Sequence, residues 1–241
     1  MKSINVTQLD HKQLNEELRN AHTNCSIFGC IGQRFIAAGM SENTVSIDGG
    51  VPGNALGAYL NGANIFVNGN AQDAVGDTMN GGEIVINGSV GDAVGYAMRG
   101  GSIYIKGNAG YRAGIHMKEY KEKVPSIVIG GCAGIFLGEY QAGGVIIVLG
   151  LNIGDRSIVS NYPATGMHGG KIFLRSDCKD IRFPGQVKTA PASDEDISEI
   201  IPYIKNYCSF FNADYDMIMS SDFTVVTPNS SNPYKQMYVA N

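Results

Sequence analysis

The stretch DAVGDTMNGGEIVINGSVGDAVGYAMRGGSIYIKGNAG, which runs from Asp73 to Gly110, is dense in glycine and nearly repeats itself halfway along. Glycines at this density can cradle a phosphate, or they can be the corners of a repeating structure. Units that begin at Gly57, Gly76 and Gly95 follow one another at intervals of 19 residues. This regular spacing indicates an internal repeat of the kind that builds a solenoid.

The repeat extends to seven units over residues 37–176, once the extra residues after Met117 are set aside. The units begin at Ala37, Gly57, Gly76, Gly95, Gly114, Gly138 and Ala164. Their ninth positions hold Val45, Ile65, Ile84, Ile103, Ile127, Ile146 and Ile172. Their eleventh positions hold Ile47, Val67, Ile86, Ile105, Ile129, Val148 and Leu174. The thirteenth is glycine in every unit but the last, where Ser176 replaces it.

Positions nine and eleven are two residues apart, so in a strand they point to one face. A single unit cannot bury that face, but units stacked in parallel register can. The columns therefore predict an all-β solenoid, a single-stranded parallel β-helix of about seven coils with short terminal helices. Units of 19 residues leave no room for the crossover helices of a dinucleotide-binding fold. The chain has no GxxxxGK[ST] and no GxGxxG that opens a helix, so the glycines are predicted to be corners.

Three segments divide the chain: an N-terminal helix and cap over residues 1–36, the β-helix over 37–190, and a C-terminal helix and tail over 191–241. A short helix is predicted over residues 8–21, with Asp10 as its N-cap. The apolar spacing over residues 193–211 predicts a second helix, which Pro202 is expected to kink or split in two. The tail after it is predicted to be extended.

The column between the two inward positions is apolar in six of the seven units, where a solvated face would be polar. We predict that its apolar members form an interface: Phe66, Val85, Tyr104, Val128, Ile147 and Phe173. Either the chain's own terminal segment or a partner subunit is expected to cover this face, and the sequence leaves both open. The amphipathic helix after Ser193 is the best candidate within the chain.

The bulk composition narrows the function classes. The 241 residues carry a net charge of −4 and no basic cluster, which argues against nucleic acid as a partner. The chain contains no run of 18 apolar residues, so no membrane span is predicted. The first residues also lack the apolar segment of a secretory signal. Five scattered cysteines fit a reduced, cytoplasmic protein better than a disulfide framework.

Residues that could carry chemistry are sparse. His116 and His168 lie near the corners without an evident third metal ligand, and Cys25 and Cys30 lack a CxxC partner motif. Asp73 recurs at the same position of the next unit, which favours corner hydrogen bonds over a catalytic pair. The sequence therefore predicts no catalytic, cofactor-binding or metal-binding residue, and it leaves enzymatic activity uncertain.

Three segments carry a family resemblance. They are GIHMKEYKEKVPSIVIGGCAGIFLGEYQAGGVIIVLGL at 114–151, GMHGGKIFLRS at 166–176 and FTVVTPNSSNPYKQMY at 223–238. Over essentially its whole length the chain resembles the stand-alone form of the GXGXG-type β-helix domain found at the C-terminus of the large glutamate synthase subunit. Its repeats are also similar to the subunit of formylmethanofuran dehydrogenase in which the same kind of coil recurs. The KEYK insertion and the PY-containing tail favour the glutamate synthase side.

The resemblance implies a right-handed β-helix with a structural role. In the family, glutamine is hydrolysed in an amidotransferase domain, and 2-oxoglutarate is aminated in an FMN and iron–sulfur domain. The β-helix domain holds these two at a fixed distance. The resemblance therefore implies that the chain carries no cofactor of its own. Its partners would be amidotransferase and FMN/iron–sulfur synthase-type subunits, with a homo-oligomer left open.

Two alternatives to this structural role stay open. One is a component of a formylmethanofuran dehydrogenase-type complex, equivalent to its coil-containing subunit. The other is a free-standing protein that binds a ligand in a groove of the β-helix. In that case the insertions at 115–126 and 151–163 would supply the polar residues.

Overall fold

Stacked strands build the body of the chain in the computed structural model, which describes residues 1–229. The strands are β1 (Lys2–Asn5), β2 (Cys25–Phe28), β3 (Cys30–Ile31), β4 (Thr44–Asp48), β5 (Gly50–Val51), β6 (Asn61–Asn68), β7 (Asn80–Ile86), β8 (Gly100–Ile105), β9 (Ser126–Ile129), β10 (Ala142–Val148), β11 (Gly169–Leu174), β12 (Val187–Pro191) and β13 (Thr224–Pro228). The helices are α1 (His11–Asn20), α2 (Asp194–Phe211) and α3 (Tyr215–Met219).

The main sheet confirms the predicted parallel β-helix. Its strand order is β1-β2-β4-β6-β7-β8-β9-β10-β11-β13-β12, and every pair from β1 to β11 is parallel. The ninth column is in register, since Ile65 pairs with Ile84 and Ile84 with Ile103. These side chains are fully buried between the walls of the solenoid. The stack of isoleucines is thus the core that a single coil could not bury.

The corner at the start of each coil has an unusual backbone. We number the coils 1 to 7 by the units above, and call the five residues centred on each start residue the corner. Its first, third and fifth residues all have positive φ. These residues, in coils 1 to 7, are Phe35, Ala37, Gly39; Ala55, Gly57, Tyr59; Ala74, Gly76, Thr78; Ala93, Gly95, Ala97; Arg112, Gly114, His116; Phe136, Gly138, Tyr140; and Tyr162, Ala164, Gly166.

This alternation sends corner N–H groups to both neighbouring coils. In coil 3, the N–H of Ala74 donates to the Asp92 carbonyl at 2.7 Å, towards coil 4. The N–H of Gly76 donates back to the Leu56 carbonyl of coil 2 at 2.8 Å. The corners therefore continue the ladder that the strands form, and the glycine-rich stretch is a set of corners, as predicted.

The glycine at the coil start is required twice over. Gly76 has φ +69°, and a Cβ built on it would lie 2.5 Å from Cδ1 of Ile103 in the next coil. Only the first and last coils carry alanine there, at Ala37 and Ala164. The glycines thus let the corner lie directly on the isoleucine core.

The N-terminal end of the solenoid is closed by α1. The helix begins with the predicted cap Asp10, in a capping box with Gln13. Asn15 of this helix is buried, and its side-chain amide donates to the Phe35 carbonyl at 2.9 Å. Its side-chain oxygen accepts the Ala38 N–H at 3.3 Å. Asn15 thereby bonds to the corner of coil 1, which has no earlier corner beneath it.

Two features of the ends differ from the prediction. Strands β1 and β2 add two parallel rungs inside the segment predicted as helix and cap, and they lie outside the seven repeat units. Helix α2 is continuous through Pro202, so it is not split into the two short helices that were one of the two expectations there. Pro202 is exposed, so the carbonyl it leaves unpaired faces water, while Ile200 and Ile204 stay packed on the opposite side. Of the predicted extended tail, β13 is observed, and residues 230–241 lie outside the described residues.

An ion network fastens the start of α2 to the solenoid. Lys171 of β11 lies with its Nζ 2.8 Å from Asp196 Oδ1 and 2.7 Å from Glu199 Oε2. The hydrogen bond from Lys171 lowers the pKa of Asp196, and the same contacts raise the pKa of Lys171. The folded chain therefore favours the charged form of both groups.

We expect Gly76→Ala to lower the free energy of unfolding by about 2 kcal/mol, because the new Cβ meets both the positive φ and the Ile103 side chain. Ala97→Gly is the matched control, since Ala97 has φ 50° and is half-exposed. Its effect should stay below about 1 kcal/mol. Urea unfolding measures both, and equal effects would contradict the packing argument.

Asp196→Asn should destabilise the chain by about 1 kcal/mol at neutral pH. Because the pKa of Asp196 is lower folded than unfolded, its contribution is complete above about pH 4. It is lost as the pH falls through the folded value, so wild type and variant should converge in acid. Urea unfolding over a pH series measures this. Asp194→Asn, in the same first helical turn, is the control and should show no such convergence.

Candidate interaction surface

The outer face predicted to be an interface is covered by the chain's own C-terminal helices. Val85, Tyr104, Val128, Ile147 and Phe173 are buried, and Phe66 is partly buried. They form one cluster with residues of α2, α3 and the segment after them, among them Ile200, Ile204, Tyr207, Ile218 and Phe223. Of the two covers that the sequence left open, the terminal segment is the one observed. These six residues therefore pack within the chain, against α2, and their role as a subunit interface stays a prediction.

Specific contacts fix α2 on this face. The rings of Tyr104 and Phe210 are 5.1 Å apart, and the Asn206 side chain donates to the Tyr104 hydroxyl at 3.1 Å. The Tyr207 hydroxyl donates to the Lys106 carbonyl at 3.3 Å, a position left open because Gly130 has no side chain. Burial raises the pKa of both Tyr104 and Tyr207. These two hydroxyls are therefore held as neutral structural groups.

The exposed surface that stands out is the outward side of the corners, which we call the corner surface. Aromatic rings of neighbouring coils contact one another in two rows along the solenoid, some stacked and some edge to face. In one row Phe136 lies 5.6 Å from Tyr111 and 5.2 Å from Tyr162. In the other, His116 lies 5.2 Å from Tyr140, in a stacked arrangement, and 6.0 Å from Tyr96. The regular distance between coils thus sets the ring spacing.

Aromatic side chains of the corner surface are open to solvent. Tyr162 is 63% exposed, Tyr59 is 59% exposed and Tyr96 is 41% exposed. The sequence reasoning missed this surface because it followed the inward columns. The signal was present, however, in the columns two residues before and after each coil start, where bulky side chains gather in the last three coils.

An ion pair links the two rows. Arg112 Nε lies 2.7 Å from Glu139 Oε2, and the Glu139 side chain is only 7% exposed. The contact is an ion pair rather than a well-aligned hydrogen bond. The Arg112 guanidinium also lies 4.7 Å from the centre of the Tyr111 ring. A buried carboxylate thus holds the arginine against the Tyr111 and Phe136 rings.

The recurring aspartates serve the fold. The Asp73 side chain accepts the Asp92 N–H at 2.9 Å, and the Asp92 side chain accepts the Tyr111 N–H at 2.8 Å. Each bond runs from one coil to the next. The prediction of corner hydrogen bonds is therefore confirmed for both residues.

The other residues singled out by sequence lie apart from one another. Within residues 1–229 no three His, Cys, Asp or Glu side chains are grouped so that they could hold a metal ion. His168 Nδ1 is 3.0 Å from the Gly166 carbonyl. Cys25 and Cys30 are buried, and burial raises the pKa of both thiols, that of Cys30 to about 11. Over the same residues no helix is long and apolar enough to cross a membrane.

A cleft of about 510 Å³ lies at the C-terminal end of the solenoid. It is lined partly by the loop that follows β11, including Cys178, Ile181 and Phe183, and partly by Ile197 and Phe223. Its lining is mixed polar and apolar, and burial raises the pKa of the Cys178 thiol. The cleft gathers no set of groups arranged for catalysis among the described residues.

Arg112→Met should cost about 2 kcal/mol of stability, because it leaves the Glu139 carboxylate buried without a counter-ion. Adding Glu139→Met should restore most of that loss, since an apolar pair of similar volume needs no counter-ion. The two single variants and the double variant form a cycle that urea unfolding can measure. Purely additive losses would show that the two charges do not depend on each other.

Comparison with known proteins agrees with the repeat architecture. The model of the GXGXG motif family matches residues 3–229. A relative, the uncharacterized protein MJ1350 of Methanocaldococcus jannaschii, is 42% identical over 250 aligned positions, which cover 98% of this chain and 95% of the relative. Because the match spans the cap, all seven coils and α2, the chain belongs to the GXGXG motif family, that of the C-terminal domain of the glutamate synthase large subunit.

Proposed function

We propose that this chain is a non-catalytic structural subunit of a glutamate synthase-type oxidoreductase. It would space an amidotransferase subunit from a subunit that carries FMN and an iron–sulfur cluster. The observation that carries the proposal is the family match over residues 3–229, which includes both ends of the rod. The family relation is to a domain that lies beside catalytic domains.

The architecture suits a spacer. Nine parallel rungs at about 4.8 Å per step give a rod about 38 Å long. Both strands and corners bond to the next coil, so bending the rod would break ladder hydrogen bonds at several places at once. A rod of this stiffness keeps two attached subunits at a constant distance. That matters when ammonia released at one site has to reach a second site without escaping to solvent.

The division of the surface also supports a role in assembly. Helix α2 covers the apolar outer face, so this face needs no partner for the chain to fold. The corner surface and the ends of the rod stay available for contacts with other subunits. In this proposal the FMN and iron–sulfur chemistry belongs wholly to the partner, and the complex is cytoplasmic.

The test is affinity purification of the tagged chain from native lysate of its own organism, followed by an absorbance spectrum and identification of the bound chains. We expect an amidotransferase chain and a flavin- and iron–sulfur-containing chain in equal amounts with the tagged chain. The purified complex should form glutamate from glutamine and 2-oxoglutarate, and removing the tagged chain should uncouple glutamine hydrolysis from amination.

Two results would overturn the proposal. One is recovery of a colourless chain without either subunit. The other is co-purification with molybdenum- or tungsten-containing subunits, which would support the formylmethanofuran dehydrogenase-type alternative instead. A tagged chain with a disrupted fold, made by Ile204→Asp in α2, is the control for non-specific capture.

A further inference from the structure

Side-chain size on the corner surface changes abruptly along the rod. The positive-φ positions that flank the central residue are small in coils 3 and 4, where they are Ala74, Thr78, Ala93 and Ala97. In coils 5 to 7 they are bulky except for Gly166, and their residues are Arg112, His116, Phe136, Tyr140 and Tyr162. The backbone path is the same in both halves. The fold therefore needs no bulky side chain at these positions.

Bulky residues at positive φ are disfavoured, and here they also leave rings in water. An L-residue with a large side chain loses about 1–2 kcal/mol in this conformation. Tyr162 is in addition 63% exposed. Strain combined with exposed aromatic surface is typical of a contact surface rather than of a packing requirement. Aromatic and arginine side chains are also those enriched in protein interfaces.

We propose that the corner surface is a dimer interface between two copies of this chain, packed antiparallel about a two-fold axis between coils 4 and 5. Such an axis places coil 4 opposite coil 5, coil 3 opposite coil 6, and coil 2 opposite coil 7. Because the axis runs across the rod, each corner position faces the same position of the other copy. The surface must therefore be complementary to itself.

In coils 3 to 6 every flanking position pairs a large side chain with a small one under this axis. Two residues before the coil start, the pairs are Ala93 with Arg112 and Ala74 with Phe136. Two residues after the start, the pairs are Ala97 with His116 and Thr78 with Tyr140. The four pairs thus bring no two rings into opposition.

One contact between opposite charges forms in the same arrangement. Asp92 of coil 4 forms no salt bridge within residues 1–229, whereas Asp77 of coil 3 faces Glu139, which Arg112 already neutralises. Coil 5 carries Arg112, whose side chain is 40% exposed. The axis brings Asp92 of one copy next to Arg112 of the other. Each dimer contains this contact twice.

A two-fold axis parallel to the rod fits less well. It would keep the coils in register and place the two flanking columns opposite each other. Phe136 would then meet Tyr140, and Arg112 would meet His116, so large side chains would collide while Ala74 faced Thr78 across a gap. The size pattern therefore selects the antiparallel arrangement.

Disulfide trapping tests the register directly. Ala74→Cys with Phe136→Cys places thiols in opposed coils of the two copies, and oxidation should give a covalent dimer. Phe35→Cys with Phe136→Cys is the matched control. Across the interface these thiols are two coils out of register, about 10 Å, which is too far for a disulfide, and neither thiol lies nearer to its own counterpart in the other copy. Wild type measures the background from the native cysteines.

Sedimentation of the purified full chain tests the equilibrium. A strip four coils long and one corner wide is smaller than a standard interface, so we expect a weak dimer with a Kd of order 10 µM. Phe136→Ala should weaken it at least tenfold, and it should fold, since alanine occupies the same position in coils 2 to 4. Tyr120→Ala removes an exposed ring from the insertion and should leave the Kd unchanged.

Three outcomes would overturn the proposal: a wild-type monomer at about 100 µM, equal trapping of matched and control pairs, or equal effects of the two alanine variants. All are measured on the isolated chain. They are thus distinguishable from failure of the proposed function, which is measured on co-purified subunits.

Discussion

Backbone hydrogen bonds between successive coils are the constraint on which the rest of this structure depends. Strands supply one part of the ladder, and the corners supply another by alternating the sign of φ, so that neighbouring N–H groups point to opposite coils. The coil start must then approach the core of the next coil closely, as Gly76 does with Ile103. Isoleucine in the ninth column therefore requires glycine at the coil start, because a side chain at the coil start would overlap the isoleucine.

Once that requirement is met, the outward positions are free to differ from coil to coil. On the face between the inward columns they are apolar, and α2 packs there with Ile204 and Tyr207. On the corners they range from alanine to tyrosine over the same backbone. A solenoid thus separates positions that maintain the fold from positions that meet other molecules, since each coil repeats the first set and varies the second.

The same separation explains what could be predicted from the sequence. The parallel register followed from the columns of Ile65 and Ile84, because inward positions repeat in residue type as well as in spacing. Strands β1 and β2 were missed because α1 lies between them, so no constant interval marks them. The break expected at Pro202 did not occur, because packing of the opposite helix face outweighs the loss of one solvent-facing hydrogen bond. The corner surface escaped notice since positive φ at Phe136 or Tyr162 is contrary to residue preference.

The disagreement between residue preference and positive φ at the bulky corner residues has a physical cause. Local preference and structure disagree where a requirement other than folding has acted on the sequence. In coils 3 and 4 the corner obeys the preference for small residues, and in coils 5 to 7 it does not. The Arg112–Glu139 pair lies at this boundary and holds the Arg112 side chain against the aromatic rows. A rod whose coils were needed only as a spacer would have no reason for such a boundary, so the corner surface reports on how the rod associates rather than on how it folds.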